Sequence, residues 1–250
     1  MFDLKCVNTV MDDLQKNAPF FASEAQFQMS FAAKVLQLYG KQFVVIPEYP
    51  LMRGAKRDEI DLMIIDTEDS NKTLIEFKHK TLNIASNPIK VPLYFDDTVI
   101  NNKWEPTNMG APELGVYDCW SDIERLEWYS SKKECAKAYF IFLTNDPRYW
   151  DKAVGRTRQY MKAMSLADAD RKAGKMLCSW QRSDGSPIPS SNPTPTEKNS
   201  IGANRIANPL TIKGLYREPF VLWKKISGWT SSRKGTINPS EYKKLVLEIK

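Results

Sequence analysis

The sequence predicts an α/β fold in which helices flank a central mixed β-sheet. Three observations lead to this prediction: an amphipathic helix pattern near the amino terminus, three apolar strand-like segments directly after it, and a further buried strand that follows a second helix. With 250 residues, of which 42% are hydrophobic, the chain is long enough to bury a sizeable core. We therefore expect a folded globular protein.

The first helix is predicted over residues 23–39. Ser23 and Gln26 match a capping box, and Gly40 follows the last helical residue. The apolar stripe of this helix consists of Phe27, Phe31, Val35 and Leu38. Glu24 falls on the same stripe and is expected to point inward, although an acid in the first turn is also favoured by the helix dipole.

Three strands are predicted next, at residues 42–50, 59–66 and 73–80. The polar stretch "TEDSNK" separates the last two and has the composition of a turn, so these two strands should form a hairpin. The three strands together predict an antiparallel meander. The buried strand that adds to it is "KAYFIFLTND", residues 137–146.

Around that strand, helices are predicted at 118–134 and 148–164. Residues 81–117 are rich in Pro and Asn, without a clear period, and predict a long insertion over the surface. Residues 1–180 would then form one core domain with this insertion.

The carboxyl-terminal part is predicted to be an extension of that core. Residues 181–200 have the composition of a flexible loop or linker. In the extension, 201–250, a strand is expected at 219–229 and a helix at 238–250. The helix prediction depends on the cap signals Asn238, Pro239 and Glu241.

Composition narrows the possible functions. The net charge of +6, from 36 basic and 30 acidic residues, favours an anionic partner such as nucleic acid. No apolar run approaches the roughly 18 residues of a membrane span, and the first residues lack the apolar core of a signal peptide, so we expect a cytoplasmic protein with no membrane partner. The scattered Cys residues and the single His argue against a zinc site or a disulfide framework: Cys6, Cys119, Cys135, Cys178 and His79.

The strand "TLIEFKHK" carries two charges where a buried strand should be apolar. Glu76 and Lys78 are two residues apart, so they share one face. If Asp66 pairs with Thr73 across the turn, Asp61 joins that face, as a diagonal neighbour of Glu76 at roughly 7–8 Å. A slip of one residue would turn Asp61 to the opposite face.

Such a cluster has a chemical use. Two neighbouring carboxylates repel each other unless a cation lies between them, and all-oxygen ligands select Mg²⁺ or, as a substitute, Mn²⁺. A lysine beside the metal can orient water or stabilise charge in the transition state. The pattern therefore predicts a site that hydrolyses phosphodiesters.

The order of elements, with "EIDLMIID" followed by "IEFK", resembles the PD-(D/E)xK nuclease superfamily, which includes many restriction endonucleases. The resemblance covers roughly residues 20–165. It implies a restriction-endonuclease-like core in which the catalytic residues are Asp61, Glu76, Lys78 and Glu24. By the same resemblance, Mg²⁺ is bound by Asp61, Glu76 and the backbone carbonyl of Phe77. The sequence departs from the pattern at Ile60, which replaces a proline, and Glu59 could substitute as a ligand.

The resemblance implies a Mg²⁺-dependent endonuclease that cuts double-stranded DNA, with a sequence-specific, restriction-type activity. The insertion at 81–117 and the extension at 201–250 would contribute to substrate recognition, and a homodimer is one arrangement found in such enzymes. Two alternatives stay open: a structure-selective repair or recombination nuclease, and a non-catalytic nucleic-acid-binding module. The residues expected to contact DNA are Arg57, Arg156, Arg158, Gln159 and Lys162.

Overall fold

In a computed structural model, the chain forms a mixed α/β structure with a six-stranded, mostly antiparallel open sheet flanked by helices. The structure describes residues 1–17, 20–82, 89–90, 103–104, 111–151, 164–167, 174–178, 180–182, 184–189, 191–225 and 241–250. None of the helices in these ranges is long and apolar enough to cross a membrane.

The described part of the chain contains both helices and strands. The helices are α1 (Leu4–Asn17), α2 (Glu24–Tyr39), α3 (Pro112–Ser131), α4 (Pro195–Ile201) and α5 (Ala203–Ala207). The strands are β1 (Phe43–Arg53), β2 (Lys56–Asp66), β3 (Lys72–Lys80), β4 (Ile89–Lys90), β5 (Lys103–Trp104), β6 (Lys137–Thr144), β7 (Gly174–Cys178), β8 (Leu210–Ile212), β9 (Val221–Lys225) and β10 (Glu241–Ile249).

The main sheet has the strand order β1-β2-β3-β6-β10-β9. Its first three strands are the predicted antiparallel meander. Strand β6 lies parallel to β3, with Glu76 level with Phe140 and Lys78 level with Phe142. A parallel pair needs a crossover, and α3 lies within the connection that provides it. The prediction of a mixed sheet with a meander and a further strand is therefore confirmed.

Each face of the sheet has its own apolar core. The α1 and α2 side buries a cluster that includes Phe27, Phe31, Leu62, Ile64, Phe77, Tyr139 and Ile141. The α3 side buries another, with Ile60, Met63, Leu74, Trp120, Ile123, Phe140 and Phe142 among its members. Strands β3 and β6 contribute to both clusters, which explains the nearly continuous apolar sequence of β6.

Helix α2, which corresponds to the helix predicted at 23–39, begins and ends as predicted. The Ser23 hydroxyl accepts a hydrogen bond from the Gln26 N–H at 3.0 Å, and Gly40 ends the helix at a φ of 57°. The Gln26 side chain bonds the N–H of Ala22 rather than that of the cap residue. The amino-terminal helix α1 was not predicted, although its apolar residues Val7, Val10, Met11 and Leu14 recur at helical spacing and are buried.

Several boundaries differ from the predictions. Helix α3 begins at Pro112, inside the segment assigned to the insertion at 81–117. Most of the predicted helix at 148–164 lies outside the described residues. The supposed linker at 181–200 contains most of α4, whose Thr194 and Glu197 form a capping box. Local side chain–backbone bonds thus order a segment whose composition indicated a loop.

The predicted carboxyl-terminal helix at 238–250 is wrong, because residues 241–249 form strand β10. This strand pairs antiparallel with β6 on one side and with β9 on the other. Leu245, Leu247 and Ile249 alternate into the α3-side core. A period of two thus prevails over the cap signals, since pairing between two strands satisfies the backbone and buries every second side chain.

Candidate active site

The hairpin register differs from the predicted one by two residues. Ile64 pairs with Thr73, and the pairing extends to Leu62 with Ile75. Continued by one residue, this register brings Asp61 level with Glu76 instead of placing it diagonally. A shift of two preserves which face each side chain takes, whereas a shift of one would have reversed it. The predicted pair of carboxyl groups is brought together, since Asp61 is among the side chains that interact with Glu76.

The backbone of β2 is irregular at Asp61. Ile60 and Met63 both pack on the α3 side, although strict alternation would place them on opposite faces. Across from Asp61, Glu48 of β1 has a φ of 50°, which is uncommon for a residue other than glycine. Gln28 of α2 stabilises the irregularity, because its side-chain amide donates to the Glu48 carboxylate at 3.0 Å and to the Asp61 carbonyl.

Beyond the paired residues, two carboxylates bind backbone N–H groups of β3. The Phe77 N–H donates to Oδ2 of Asp61 at 2.6 Å, and the His79 N–H donates to Oε2 of Glu24 at 2.8 Å. These side chains take the place of backbone acceptors in a neighbouring strand. Since the N–H and C=O of one strand residue point to the same side, the Phe77 carbonyl faces the same gap between β2 and β3.

Lys78 lies between two acids from different helices. Its ammonium is 2.8 Å from Oδ2 of Asp122 on α3 and 3.6 Å from Oε1 of Glu24 on α2. Burial disfavours the charged form of this side chain, but the two carboxylates outweigh that effect and the pKa of Lys78 is raised above its usual value. The lysine therefore stays charged.

Glu76 is almost completely buried and is held by an arginine. Nε and Nη2 of Arg125 donate to Oε1 of Glu76 at 2.9 and 2.7 Å. The same Nη2 lies 2.9 Å from Oδ1 of Asp122. Glu76 thus has a positive partner from α3, which the sequence analysis did not predict.

The sequence reasoning missed Asp122 and Arg125. The available signal was the position of Asp122 within α3, three residues after buried Cys119 and four before buried Leu126. At helical spacing, that is an apolar position, and an acid there requires a partner. One partner, Arg125, is one helical turn along α3. The other, Lys78, belongs to a strand more than 40 residues away, which no local pattern indicates.

The cluster contains more carboxyl groups than cations. Its four carboxylates, Glu24, Asp61, Glu76 and Asp122, surround the cations of Lys78 and Arg125, which leaves a formal charge of −2 with all six ionised. Burial raises the pKa of Asp61 to about 6; the Phe77 N–H bond opposes this rise, and the charges of Asp122 and Glu24 add to it. Burial, together with Asp122 and Asp61, also holds the pKa of Glu76 well above its usual range despite Arg125.

The residues present fit a hard divalent cation by their chemistry and charge. Asp61 and Glu76 offer carboxylate oxygens, and the Phe77 carbonyl faces the same gap. Within the described ranges no three side chains of His, Cys, Asp or Glu converge on one metal position. Mg²⁺, however, is commonly held by one or two protein carboxylates and completes its shell with water and substrate phosphate. A divalent charge would also compensate the excess of −2 that the cluster carries when all six groups are ionised.

The structure describes only some of the other residues that the sequence singled out. Arg57 is exposed and pairs with Glu59 at 3.4 Å, so neither residue joins the site. Arg156, Arg158, Gln159 and Lys162 lie outside the described residues. His79 is buried, with its Nε2 atom 2.7 Å from the Tyr242 hydroxyl, and this agrees with a packing role. Cys6, Cys119 and Cys135 are free thiols.

Comparison with protein-family models, with curated proteins and with solved structures finds no match to this chain.

Proposed function

We propose that the protein is a Mg²⁺-dependent endonuclease that cuts double-stranded DNA, of the PD-(D/E)xK type and with restriction-type sequence specificity. The observation that supports this most directly is the interaction of Asp61 with both Glu76 and Lys78 in one cluster beside the gap between β2 and β3. Glu24 extends the cluster from α2. The restriction-endonuclease-like core is part of the same proposal, and the sheet with helices on both faces is compatible with it.

Each residue has a role that its contacts support. Asp61, Glu76 and the Phe77 carbonyl would hold Mg²⁺, and Asp61 is oriented for this by the Phe77 N–H. When bound, Mg²⁺ supplies Lewis-acid polarisation of a phosphoryl oxygen and makes water more acidic. Lys78, kept charged by Asp122 and Glu24, would stabilise the negative charge that develops on the phosphate.

The substrate assignment follows from charge. The chain carries a net charge of +6, while carboxyl groups outnumber cations in the cluster itself. A polyanionic DNA strand could therefore be attracted by the rest of the molecule and be brought to the cluster through a bridging divalent cation.

The direct test is incubation of the purified protein with phage and plasmid DNA in Mg²⁺ or in EDTA, together with Lys78→Ala. We expect discrete, Mg²⁺-dependent bands and a loss of cleavage on the order of 10²- to 10³-fold in the variant, as for removal of one charge-stabilising group. Lys72→Ala is the matched control. It makes the same change in β3 roughly 20 Å away and should leave cleavage unchanged.

Other outcomes lead to different conclusions. A Mg²⁺-dependent smear, or cleavage restricted to branched DNA, would favour a structure-selective nuclease. No cleavage of any substrate, with DNA binding unaffected by Lys78→Ala, would overturn the catalytic proposal and leave a binding module. Circular dichroism of both variants would establish that they are folded in these assays.

A further inference from the structure

Arg125 occupies the position of a counter-ion in the cluster. Both of its bonds to Glu76 end on the same oxygen, Oε1, and a third contact reaches Asp122. The arginine side chain is 20% exposed, whereas that of Glu76 is 1% exposed. The partly exposed guanidinium of Arg125 thus serves as counter-ion for the carboxylate of Glu76, which is buried from solvent.

This contact competes with metal binding. A divalent cation bound by Glu76 needs a carboxylate oxygen and would lie close to the positive charge of Arg125. Two cations at one carboxylate repel each other strongly in a partly buried site. Bonds between the guanidinium and Oε1 must therefore be weakened or broken when the cation binds.

Arg125 has a second ion-pair partner, Asp122, that it can keep when the cation binds. Nη2 contacts Oδ1 of Asp122 at 2.9 Å, and the two residues are one helical turn apart on α3. Arg125 can release Glu76 without losing that partner, because both ends of the second ion pair belong to one rigid helix. Asp122 also holds Lys78 at 2.8 Å, so it links the released arginine to the proposed catalytic lysine.

We propose that Arg125 is an internal counter-ion that holds Glu76 in the metal-free site and is displaced toward Asp122 when a divalent cation binds. The consequence is a lowered affinity: the arginine stabilises the metal-free cluster and weakens the binding of the metal. This inference rests on the proposed function, since it assumes that Asp61 and Glu76 bind a divalent cation.

The test measures Mn²⁺ binding without DNA, by electron paramagnetic resonance of free Mn²⁺, for the wild-type protein and Arg125→Gln. We expect the variant to bind Mn²⁺ tighter by about tenfold or more, because a competing charge is gone. Its melting temperature should be lower than that of the wild type in EDTA and should rise more on addition of Mn²⁺.

Arg205→Gln is the matched control. Arg205, on α5, forms an ion pair at 3.0 Å with Asp118, which is on α3 like Arg125. Both side chains of this pair are about one third exposed and do not belong to the cluster. Its Mn²⁺ affinity should equal that of the wild type. Arg125→Lys is a second variant, which keeps the positive charge but cannot reproduce the forked contacts. We expect its Mn²⁺ affinity to lie between those of the wild type and Arg125→Gln.

The outcomes separate this inference from the proposed function. Equal Mn²⁺ affinity in the wild type and both Arg125 variants would overturn the counter-ion role. If Arg125→Gln does not fold, an affinity of Arg125→Lys equal to that of the wild type would overturn it. Weaker binding in the variants would show that the arginine supports the metal instead of opposing it. No Mn²⁺ binding by any protein, the wild type included, would instead overturn the metal site of the proposed function.

Discussion

Replacing His79 by glutamine should make the protein less sensitive to mild acid. The His79 imidazole is 1% exposed, and its Nδ1 atom has no hydrogen-bond partner among the described residues. Protonation would place a positive charge there with an unpaired N–H. Burial, with a smaller contribution from the Lys80 charge, lowers the pKa of His79 to about 3.

The size of the effect follows from the two pKa values. The unfolded chain binds a proton at this residue near the ordinary value of 6.5, and the folded protein does so only near about 3. The stability that a neutral His79 provides is therefore fully present above 6.5 and is lost progressively as the pH falls toward 3. Between pH 7 and pH 5 the loss is about 2 kcal/mol.

Urea unfolding at these two pH values measures this loss. The free energy of unfolding should fall by about 2 kcal/mol less in His79→Gln than in the wild type. Asp61, with its pKa raised to about 6, acts in the opposite direction over part of this range, but it is present in both proteins and cancels in the comparison. Tyr242→Phe leaves the imidazole buried and should retain the wild-type loss. An equal loss in the wild type and His79→Gln would refute the reasoning.

Two further substitutions test the packing of α3. Glu127 is 4% exposed, and its Oε1 accepts hydrogen bonds from the Tyr216 hydroxyl at 2.7 Å and from two backbone N–H groups. Glu127→Gln should therefore lower the free energy of unfolding, measured by thermal melting, by about 1–3 kcal/mol. The same change at the exposed Glu134 should have no such effect. A Cβ at Gly115 would lie 2.1 Å from the Tyr149 hydroxyl oxygen. Gly115→Ala should therefore cost about 1–3 kcal/mol in urea unfolding, with much of the loss recovered in Gly115→Ala combined with Tyr149→Phe. Absence of that recovery would contradict the steric cause.

The elements that could be predicted are those whose signals are local. Helix α2 has its cap, its apolar stripe and its terminating glycine within 18 consecutive residues. The meander of β1, β2 and β3 consists of apolar strands that follow one another directly, so neighbours in sequence are neighbours in the sheet. Asp61 and Glu76 come together for the same reason, because a single turn joins their strands.

The sequence by itself determined helix α2, the meander of β1, β2 and β3, and the placement of Asp61, Glu76 and Lys78 on adjacent strands. The tertiary structure decided the rest: β10 is a strand because β6 and β9 pair with it on both sides, and Asp122 and Arg125 join the cluster because α3 packs across β3. These outcomes depend on contacts between residues far apart in the chain. A local pattern indicates the period at which apolar residues recur in a segment. Long-range packing decides which residues pair with its backbone and with its buried charges.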